Sequence, residues 1–377
     1  MATTLKPYEA SAPGKVILFG EHAVVYGIPA VAAAVSSLRV SARVTFGGAP
    51  DVRVSLHNLT SMKDGQPLSR AWSLKALADA THDAAVAVEA FLPRPSAAMK
   101  AALTQFLVDE HPKDTNALRP ALFLLLAILP QVLSGHDGIH ISVTSGDFPV
   151  GAGLGSSAAF CVAVAAALLR CTTDTAVPAL DVVNAHAFAA EVLLHDDPSG
   201  VDNTVATYGG AIVYRKTPQV METFAMPKLR ILLTNTHVPR ETKVLVAGVR
   251  ALHTADPTPV EAHFRTIEGL ATTFQAAVHA DTLSHAQLAA MISSNQASLD
   301  ALHVGHASIS TICALSATYG MATKLTGAGG GGCTITLVPA DAADSDVAAL
   351  KAELQKAGFT CLETELGGPG VEFRPVL

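Results

Sequence analysis

The chain contains 377 residues, of which 50% are hydrophobic and 15% are charged, and its formal net charge at pH 7 is −7. A chain of this length exceeds a single ordinary core, so we expect two domains or one large α/β body. The negative net charge argues against nucleic-acid binding, because proteins that bind nucleic acids usually present a strongly basic surface. An anionic ligand would therefore depend on locally placed cations, and the candidates in or near the distinctive stretches are Lys15, His22, Arg240 and Lys324.

The cysteines and the first residues bear on the compartment. The five cysteines are scattered without C-x-x-C spacing, which favours reduced thiols in an intracellular protein. The first residues show no apolar region, so a signal peptide is not expected. The apolar run at residues 121–129 lies between two prolines and is too short to cross a bilayer. We therefore expect a cytoplasmic protein that does not enter a membrane.

The N-terminal third reads as strands followed by helices. Residues 16–19 are a buried strand candidate, preceded by a break at residues 12–15 where proline and glycine adjoin. Residues 38–46 alternate between apolar and polar side chains, and residues 52–56 repeat the pattern, which predicts antiparallel strands with one solvated face. Residues 58–134 read as helices joined by polar loops.

A glycine-rich stretch at residues 151–157 follows an alternating strand at residues 139–143 and precedes an apolar run at residues 158–169. This order predicts a loop that leads into a buried helix. Glycines let the backbone approach a ligand closely, and the first turn of a helix presents unpaired N–H groups. The construction favours a phosphate, and Ser156 and Ser157 add hydroxyls that can bind phosphate oxygens or magnesium. A flexible loop with a serine N-cap is the alternative interpretation.

The C-terminal part combines strands with helices. One helix is predicted at residues 180–195, three or four lie between residues 242 and 319, and another is expected at residues 344–356. Short strands are predicted at residues 211–214, 231–233, 333–338, 360–362 and 371–373. The change of pattern near residue 225 predicts an N-terminal domain of residues 1–225 and a C-terminal α+β domain of residues 226–377.

A second glycine-rich stretch, at residues 327–332, satisfies G-x-G-x-x-G by letter. A dinucleotide-binding fold needs a helix after those glycines, whereas residues 333–338 read as a strand. A glycine-rich hairpin pressed against a ligand or another domain's backbone fits better. A Walker P-loop also fails at Gly14 and Lys15, because Val16 follows the lysine and the first glycine of that motif is missing.

Phosphoryl transfer needs a phosphate cradle, a metal, a cation on the moving charge and a group that orients the acceptor hydroxyl. The loop at residues 151–157 can be the cradle, and Ser157 with Glu191 offers the hard oxygen ligands that magnesium prefers. Lys15 can supply the cation, and Asp202 can accept the hydrogen bond of the acceptor. Taken singly, the lysine could be solvated, the aspartate could cap a turn and the glutamate could face water. Their occurrence together with two glycine-rich loops favours a site.

Three stretches resemble the motifs of the galactokinase, homoserine kinase, mevalonate kinase and phosphomevalonate kinase superfamily. They are residues 12–27, 151–158 and 324–332. They occur in the order that the superfamily has, and the similarity extends over nearly the whole chain. Further segments are similar to the mevalonate kinase family in particular, namely residues 20–25, 197–203, 233–240 and 304–308.

The resemblance implies ATP-dependent phosphorylation of the 5-hydroxyl of (R)-mevalonate, in the biosynthesis of isoprenoid and sterol precursors. It also implies an α+β fold in which an N-terminal domain with a mixed or antiparallel sheet and a ferredoxin-like C-terminal domain flank the active-site cleft. By matching position, Lys15 becomes the active-site lysine, Asp202 the catalytic base, and Ser157 and Glu191 the Mg²⁺ ligands. The implied nucleotide-binding set is Lys15, Asn58, Gly151, Ala152, Gly153, Leu154, Gly155, Ser156 and Ser157. The implied acceptor-binding set is Glu21, His22, Asp202, Thr242 and Gly329.

The resemblance further implies inhibition by a prenyl diphosphate, a homodimer and a cytoplasmic enzyme, with an organelle as the alternative compartment. Because an alcohol has a pKa far above that of a carboxylate, we expect Asp202 to orient the hydroxyl and take its proton late. Lys15 is expected to stabilise charge and to keep Asp202 ionised by pairing with it. Another small-alcohol kinase of the superfamily is the nearest alternative. A non-catalytic metabolite sensor is disfavoured because it would have lost the lysine, the aspartate or the metal ligands.

The chain departs from the family pattern at a few positions. Gly146 stands where a related sequence has a nucleotide-contacting serine, and Ser145 lies one place earlier. Residues 148–150 read Phe-Pro-Val where the family often has Leu-Pro-Pro, and Tyr208 replaces a frequent tryptophan. These departures affect the expected contacts of the adenine and leave every proposed catalytic group in place. Residues 59–134 have no residue-by-residue match.

Overall fold

The computed structural model describes residues 5–84, 87–89, 92–135, 137–146, 148–149, 152–172, 177–195 and 197–376. A twelve-stranded mixed sheet runs through both halves of these residues, and helices pack against it. The fold is α+β, as the sequence predicts. None of the helices within these ranges is long and apolar enough to cross a bilayer.

The strands are numbered in chain order. They are β1 (Tyr8–Phe19), β2 (Ala30–Phe46), β3 (Asp51–Thr60), β4 (Pro67–Ser73), β5 (Ala87–Glu89), β6 (Leu92–Arg94), β7 (Ile139–Thr144), β8 (Ala211–Arg215), β9 (Val220–Phe224), β10 (Leu229–Asn235), β11 (Ala322–Thr326), β12 (Cys333–Leu337), β13 (Thr360–Leu366) and β14 (Glu372–Pro375). All but β5 and β6, which pair only with each other, belong to the large sheet.

The helices are numbered in the same way. They are α1 (Leu74–Thr81), α2 (Ala97–Phe106), α3 (Pro112–Ile128), α4 (Ser156–Cys171), α5 (Leu180–Val192), α6 (Val201–Tyr208), α7 (Thr242–Ala255), α8 (Pro257–His279), α9 (His285–Ala301), α10 (Ala307–Thr318) and α11 (Asp344–Lys356). Single 3₁₀ turns lie at Ala23–Tyr26 and Pro130–Ser134.

Strand β2 is the hub of the large sheet. It pairs with β1, β7 and β8, all antiparallel, and it meets β13 through the single pair Val35 and Leu366. The main path of the sheet runs β11-β12-β10-β13-β2-β7-β3-β4. The strands of the C-terminal half therefore join those of the N-terminal half at this single pair and at β14, which pairs antiparallel with the start of β1. The predicted boundary near residue 225 falls between β9 and β10 and stays a prediction.

The break predicted at residues 12–15 is wrong, because β1 continues through it. The register with β2 shifts between Pro13 and Gly14, which marks a β-bulge inside an unbroken strand. At Gly14 a Cβ would lie 2.5 Å from the ring of Phe148 and 2.7 Å from the carbonyl oxygen of Leu154. Glycine is therefore needed for the strand to approach the loop that precedes α4.

The fold differs from the sequence-based expectations at three further places. Residues 58–134 contain the hairpin partner β4 and the β5–β6 pair besides helices. Strand β3 runs parallel to β7, although its pairing with β4 is antiparallel as expected.

Pro120 lies inside α3 and does not end it. A proline in a helix interior costs about 3 kcal/mol, and the burial of the neighbouring leucines of α3 offsets that cost.

Helix α4 lies at the centre of the N-terminal half. It packs against β1 and β2 on one side and against α3, α5 and α6 on the other. Its side chains are mostly alanine, valine and cysteine, and nearly all of them are buried. Small side chains let the helix lie close to the sheet, which fixes the position of its N-terminus relative to β1.

Candidate active site

The first glycine-rich loop leads directly into helix α4, as the sequence predicts. The helix begins at Ser156, and Gly155 before it adopts a left-handed conformation with φ of 76°. The free N–H groups of the first turn and the positive end of the helix dipole therefore lie at residues 155–157. Ala152, Gly153 and Leu154 precede this turn, whereas Gly151 lies outside the described residues.

Lys15 and Asp202 meet beside this loop. The backbone N–H of Lys15 donates to the carbonyl oxygen of Leu154 at 2.8 Å, which attaches β1 to the loop. The Lys15 Nζ lies 3.3 Å from Asp202 Oδ1, and the two side chains are 10% and 34% exposed. A Cβ at Gly155 would lie 3.0 Å from the Lys15 side chain and 3.6 Å from the Asp202 carboxylate. The ion pair is therefore half-buried and lies directly against the loop.

Glu191 on α5 lies in the same region and is buried. Its Oε1 atom has no hydrogen-bond partner among the described residues. Burial, together with the negative charge of Asp202, raises the pKa of Glu191 to about 7, while a hydrogen bond from Ser157 and the charge of Lys15 oppose that rise. A buried carboxylate with an unpaired oxygen is unfavourable unless a cation balances it. A positive ion beside Glu191 would fit this arrangement, and the assignment of Ser157 and Glu191 as magnesium ligands stays a prediction.

A cavity of about 580 Å³ opens beside the first glycine-rich loop. One end is formed by Gly153, Gly155, Ser156 and Ser157, with Asp202 and His195. The other end is mainly apolar and is lined by Leu56, Leu59, Ala117, Pro120 and Val143. The cavity therefore has one end at a helix N-terminus that suits a phosphate, here called the phosphate end, and an apolar slot at the opposite end.

Asn58 lies on the wall of this cavity, between its two ends. Its side-chain amide donates to the carbonyl oxygen of Gly146 at 3.1 Å and accepts from the backbone N–H of Ser145 at 2.6 Å. Strand β3 is thereby joined to the segment that follows β7. Ser145 also lines the cavity, so the hydroxyl one place before Gly146 is available to a ligand.

A second cavity of about 390 Å³ lies on the other side of Asp202. Its wall includes Val24, Val25, Ser199 and Tyr214, and Lys216 is the only cationic side chain among the described residues that line it. Asp202 is the only described residue that lines both cavities. The two cavities therefore meet at the carboxylate that pairs with Lys15.

Arg240, one of the candidate cations in the sequence, belongs to the site. It lines the first cavity, and its guanidinium fills the space that a side chain at Gly153 would need. Cβ atoms at Gly327 and Gly332 would lie 3.0 and 3.1 Å from the same side chain. Arg240 is thus held between the two glycine-rich loops, and within the described ranges no carboxylate pairs with it. Burial lowers its pKa, so an anion beside it would be favoured.

Glu21 and His22 lie at the end of β1 but line neither cavity. Glu21 forms a fully buried ion pair with Lys324 on β11 and accepts from Asn295 at 3.1 Å. His22 has a positive φ of 58°, and its Nε2 lies 2.7 Å from the carbonyl oxygen of Ala328. Burial lowers the pKa of His22. These contacts connect β1 to the second glycine-rich loop, and acceptor binding by either residue stays a prediction.

The second glycine-rich stretch is a hairpin, as the sequence predicts. Residues 327–332 connect the antiparallel strands β11 and β12. A side chain at Gly329 would overlap the carbonyl oxygen of Val304, so this turn is pressed against neighbouring backbone. Thr242 begins α7, is exposed and lines neither cavity. Ligand contacts of Gly329 and Thr242 stay predictions.

Comparison with known proteins identifies the family of this chain. The chain matches the models for the GHMP kinases N terminal domain over residues 120–210 and the GHMP kinases C terminal over residues 275–356. It is 38% identical to the mevalonate kinase of Bos taurus and 36% identical to that of Homo sapiens, over 96% of this chain and 93% of each relative. The crystal structure of L. major mevalonate kinase in complex with R-mevalonate has the same fold, with a TM-score of 0.72 at 23% identity over 98% of this chain and 99% of that chain. This protein belongs to the mevalonate kinase family of the GHMP kinases.

Proposed function

We propose that this protein transfers the γ-phosphoryl group of ATP to the 5-hydroxyl of (R)-mevalonate, giving 5-phosphomevalonate and ADP. Its family consists of kinases, and the relatives that cover nearly its whole length are mevalonate kinases. The observation that carries the proposal is the position of Asp202, which lines both cavities and pairs with Lys15 at 3.3 Å. A donor in one cavity and an acceptor in the other would meet at this pair.

ATP is assigned to the first cavity. Its phosphates would lie at residues 153–157, where the backbone curls without side chains and the first turn of α4 offers N–H groups. The apolar end of the cavity would hold the adenine, since a planar base buries best against aliphatic side chains. Arg240 lies at the phosphate end and would add positive charge from the second half of the chain.

Mevalonate is assigned to the second cavity. It is a small hydroxy acid, so its carboxylate needs a cation and its reacting hydroxyl must point at the donor. Lys216 supplies the cation on the cavity wall, and Asp202 faces the junction with the first cavity. Ser199 and Tyr214 offer hydroxyls for the remaining polar groups.

The transfer itself would rely on positioning and charge. Asp202 accepts the hydrogen bond of the 5-hydroxyl, orients its oxygen toward the γ-phosphorus and takes the proton as the oxygen–phosphorus bond forms. Lys15 stabilises the negative charge on the transferred group and holds Asp202 in place. The bond from the γ-phosphorus to the bridging oxygen breaks, and ADP leaves with that electron pair. No covalent intermediate on the protein is needed.

Ser157 and Glu191 fit a magnesium ion. The buried Oε1 of Glu191 has no hydrogen-bond partner among the described residues, and the pKa of this carboxyl group is raised. A cation beside it would pair with that oxygen and stabilise the ionised form. Magnesium is typically held by one or two protein oxygens together with phosphates and waters. Ser157 lies at the phosphate end of the first cavity, and Glu191 lies behind it, close enough to accept a hydrogen bond from Ser157. When bound, the ion would neutralise phosphate charge.

Three further properties are proposed from the family, and the lining of the first cavity supports the first of them. A prenyl diphosphate would compete with ATP, because the first cavity combines a phosphate end with an apolar end. The protein would act as a homodimer. Its compartment would be the cytoplasm.

Asp202→Asn tests the proposed function most directly. The amide cannot take the proton, so mevalonate-dependent ADP release in the presence of ATP and magnesium should fall by about 10²–10⁴-fold. Binding of a non-hydrolysable ATP analogue, measured by calorimetry, should change little. Asp197→Asn removes the same charge from a residue that lines only the second cavity, and it should retain most activity. Equal loss of turnover and of nucleotide binding in Asp202→Asn would contradict the role assigned to Asp202. Faster turnover of phosphomevalonate or galactose than of mevalonate by the wild type would contradict the proposed substrate.

Glu191→Gln tests the magnesium site. The raised pKa of Glu191 means that the folded protein favours its protonated form, so stability without ligands should fall as pH rises through about 7. Each pKa unit corresponds to about 1.4 kcal/mol, so the neutral amide should stabilise the ligand-free protein by about 1–3 kcal/mol at pH 8. The magnesium concentration for half-maximal activity should rise. The exposed control Glu261→Gln should change neither quantity, and unaltered metal dependence in Glu191→Gln would rule out this ligand.

Lys216→Met tests the acceptor cavity. Loss of the ammonium should raise the KM for mevalonate by about tenfold, the value of one charge-assisted contact. The KM for ATP should stay the same because Lys216 does not line the first cavity. Lys228→Met, at a side chain that is 62% exposed just before β10, serves as the charge-matched control. A rise in both KM values would place the acceptor elsewhere.

A further inference from the structure

A buried polar cluster joins the β3–β4 turn to helix α3, within the segment that has no residue-by-residue family match. Asp114, in the first turn of α3, and Ser61, at the start of the turn, are each 2% exposed. The Ser61 hydroxyl donates to Asp114 Oδ2 at 2.8 Å, and the backbone N–H of Met62 lies 3.1 Å from both carboxylate oxygens. A single carboxylate therefore binds two consecutive residues of the turn.

Arg70 on β4 completes this cluster. Its Nη2 donates to the Ser61 hydroxyl at 2.8 Å and lies 4.0 Å from Asp114 Oδ2. Its Nε donates to Glu110 Oε2 at 3.0 Å, just before α3 begins. Hairpin and helix thus hold each other through charge-assisted bonds, which are stronger than neutral ones.

The same two elements form the apolar end of the first cavity. Leu59 lies at the end of β3, two residues before Ser61, and Ala117 and Pro120 lie on α3. Helix α3 packs chiefly against α2, α4 and α5. Within the described ranges no backbone hydrogen bond joins the β3–β4 turn to α3. Side chains therefore attach the turn to the start of α3. They are those of the cluster around Asp114 and that of Lys63, which is exposed and donates to the carbonyl oxygen of Asp109 at 3.0 Å.

We propose that Asp114 is a positioning residue for nucleotide binding, which fixes the width of the slot for the adenine by clamping the β3–β4 turn to helix α3. The inference rests on the assignment of ATP to this cavity. Asp114 touches neither cavity and no reacting group, so it acts through the walls. Lys15, Asp202 and the N-terminus of α4 are held by other contacts, and their positions do not depend on the clamp.

Asp114→Asn tests the clamp, because the amide keeps the size of the side chain but loses the charge and one acceptor. The KM for ATP should rise by about tenfold, while kcat and the KM for mevalonate stay near the wild-type values. Calorimetry should show the same loss for a non-hydrolysable ATP analogue. Inorganic tripolyphosphate should bind as tightly as to the wild type, because it occupies only the phosphate end.

Ser61→Ala and Thr336→Val complete the experiment. Ser61→Ala removes one hydrogen bond of the clamp and should weaken ATP binding by a smaller factor than Asp114→Asn. This variant tests the inference if Asp114→Asn does not fold. Thr336 belongs to a buried hydroxyl cluster with Thr323 and Ser316, remote from the cavity, so Thr336→Val should lower the melting temperature without altering ATP binding. Unchanged ATP binding in the clamp variants, or equal weakening of tripolyphosphate and ATP, would overturn the inference. Absence of mevalonate phosphorylation by the wild type would instead overturn the proposed function, and the binding comparison would still test the clamp.

Discussion

The close approach of strand β1 to the loop before helix α4 is the contact on which the rest of the site depends. It requires glycine at positions 14 and 155, where a Cβ would meet Phe148 and the Lys15 side chain respectively. The backbone bond from Lys15 to Leu154 then fixes the strand against the loop. Because most of α4 is buried and its buried side chains are mainly small, its N-terminus cannot move independently of that strand. The ammonium group, the carboxylate of Asp202 and the helix N-terminus are thereby held together.

A second constraint joins the two halves of the chain across the site. The Glu21–Lys324 pair has no exposed side-chain surface, and Asn295 donates to the same carboxylate. Removing one partner of such a pair leaves an uncompensated buried charge and typically costs about 3–5 kcal/mol. Arg240 lies between the two glycine-rich loops and depends on both for its position. The phosphate end of the first cavity is therefore complete only when these contacts hold the two halves of the chain together.

The sequence predicted the features that follow from local signals and missed those that depend on distant partners. Glycine spacing and the pattern after each loop identified a loop-to-helix turn at residues 152–157 and a hairpin at residues 327–332. The position of Arg240 between the two loops could not be predicted, because its surroundings come from both halves of the chain. The cluster around Asp114 was missed because its carboxylate binds residues more than fifty positions away. A break was predicted before Lys15 because proline followed by glycine is typical of a strand end, whereas here the same pair of residues forms a β-bulge inside the strand.

If ATP and the acceptor occupy two cavities that meet at Asp202, the phosphoryl group passes directly between them. The configuration at phosphorus tests this arrangement, with ATP whose γ-phosphoryl group is made chiral by oxygen isotopes and with mevalonate as the acceptor. Direct in-line transfer predicts that the phosphorus of the product has inverted configuration. Retention would require two successive transfers through a phosphorylated side chain, and it would contradict the arrangement of the two cavities about one carboxylate.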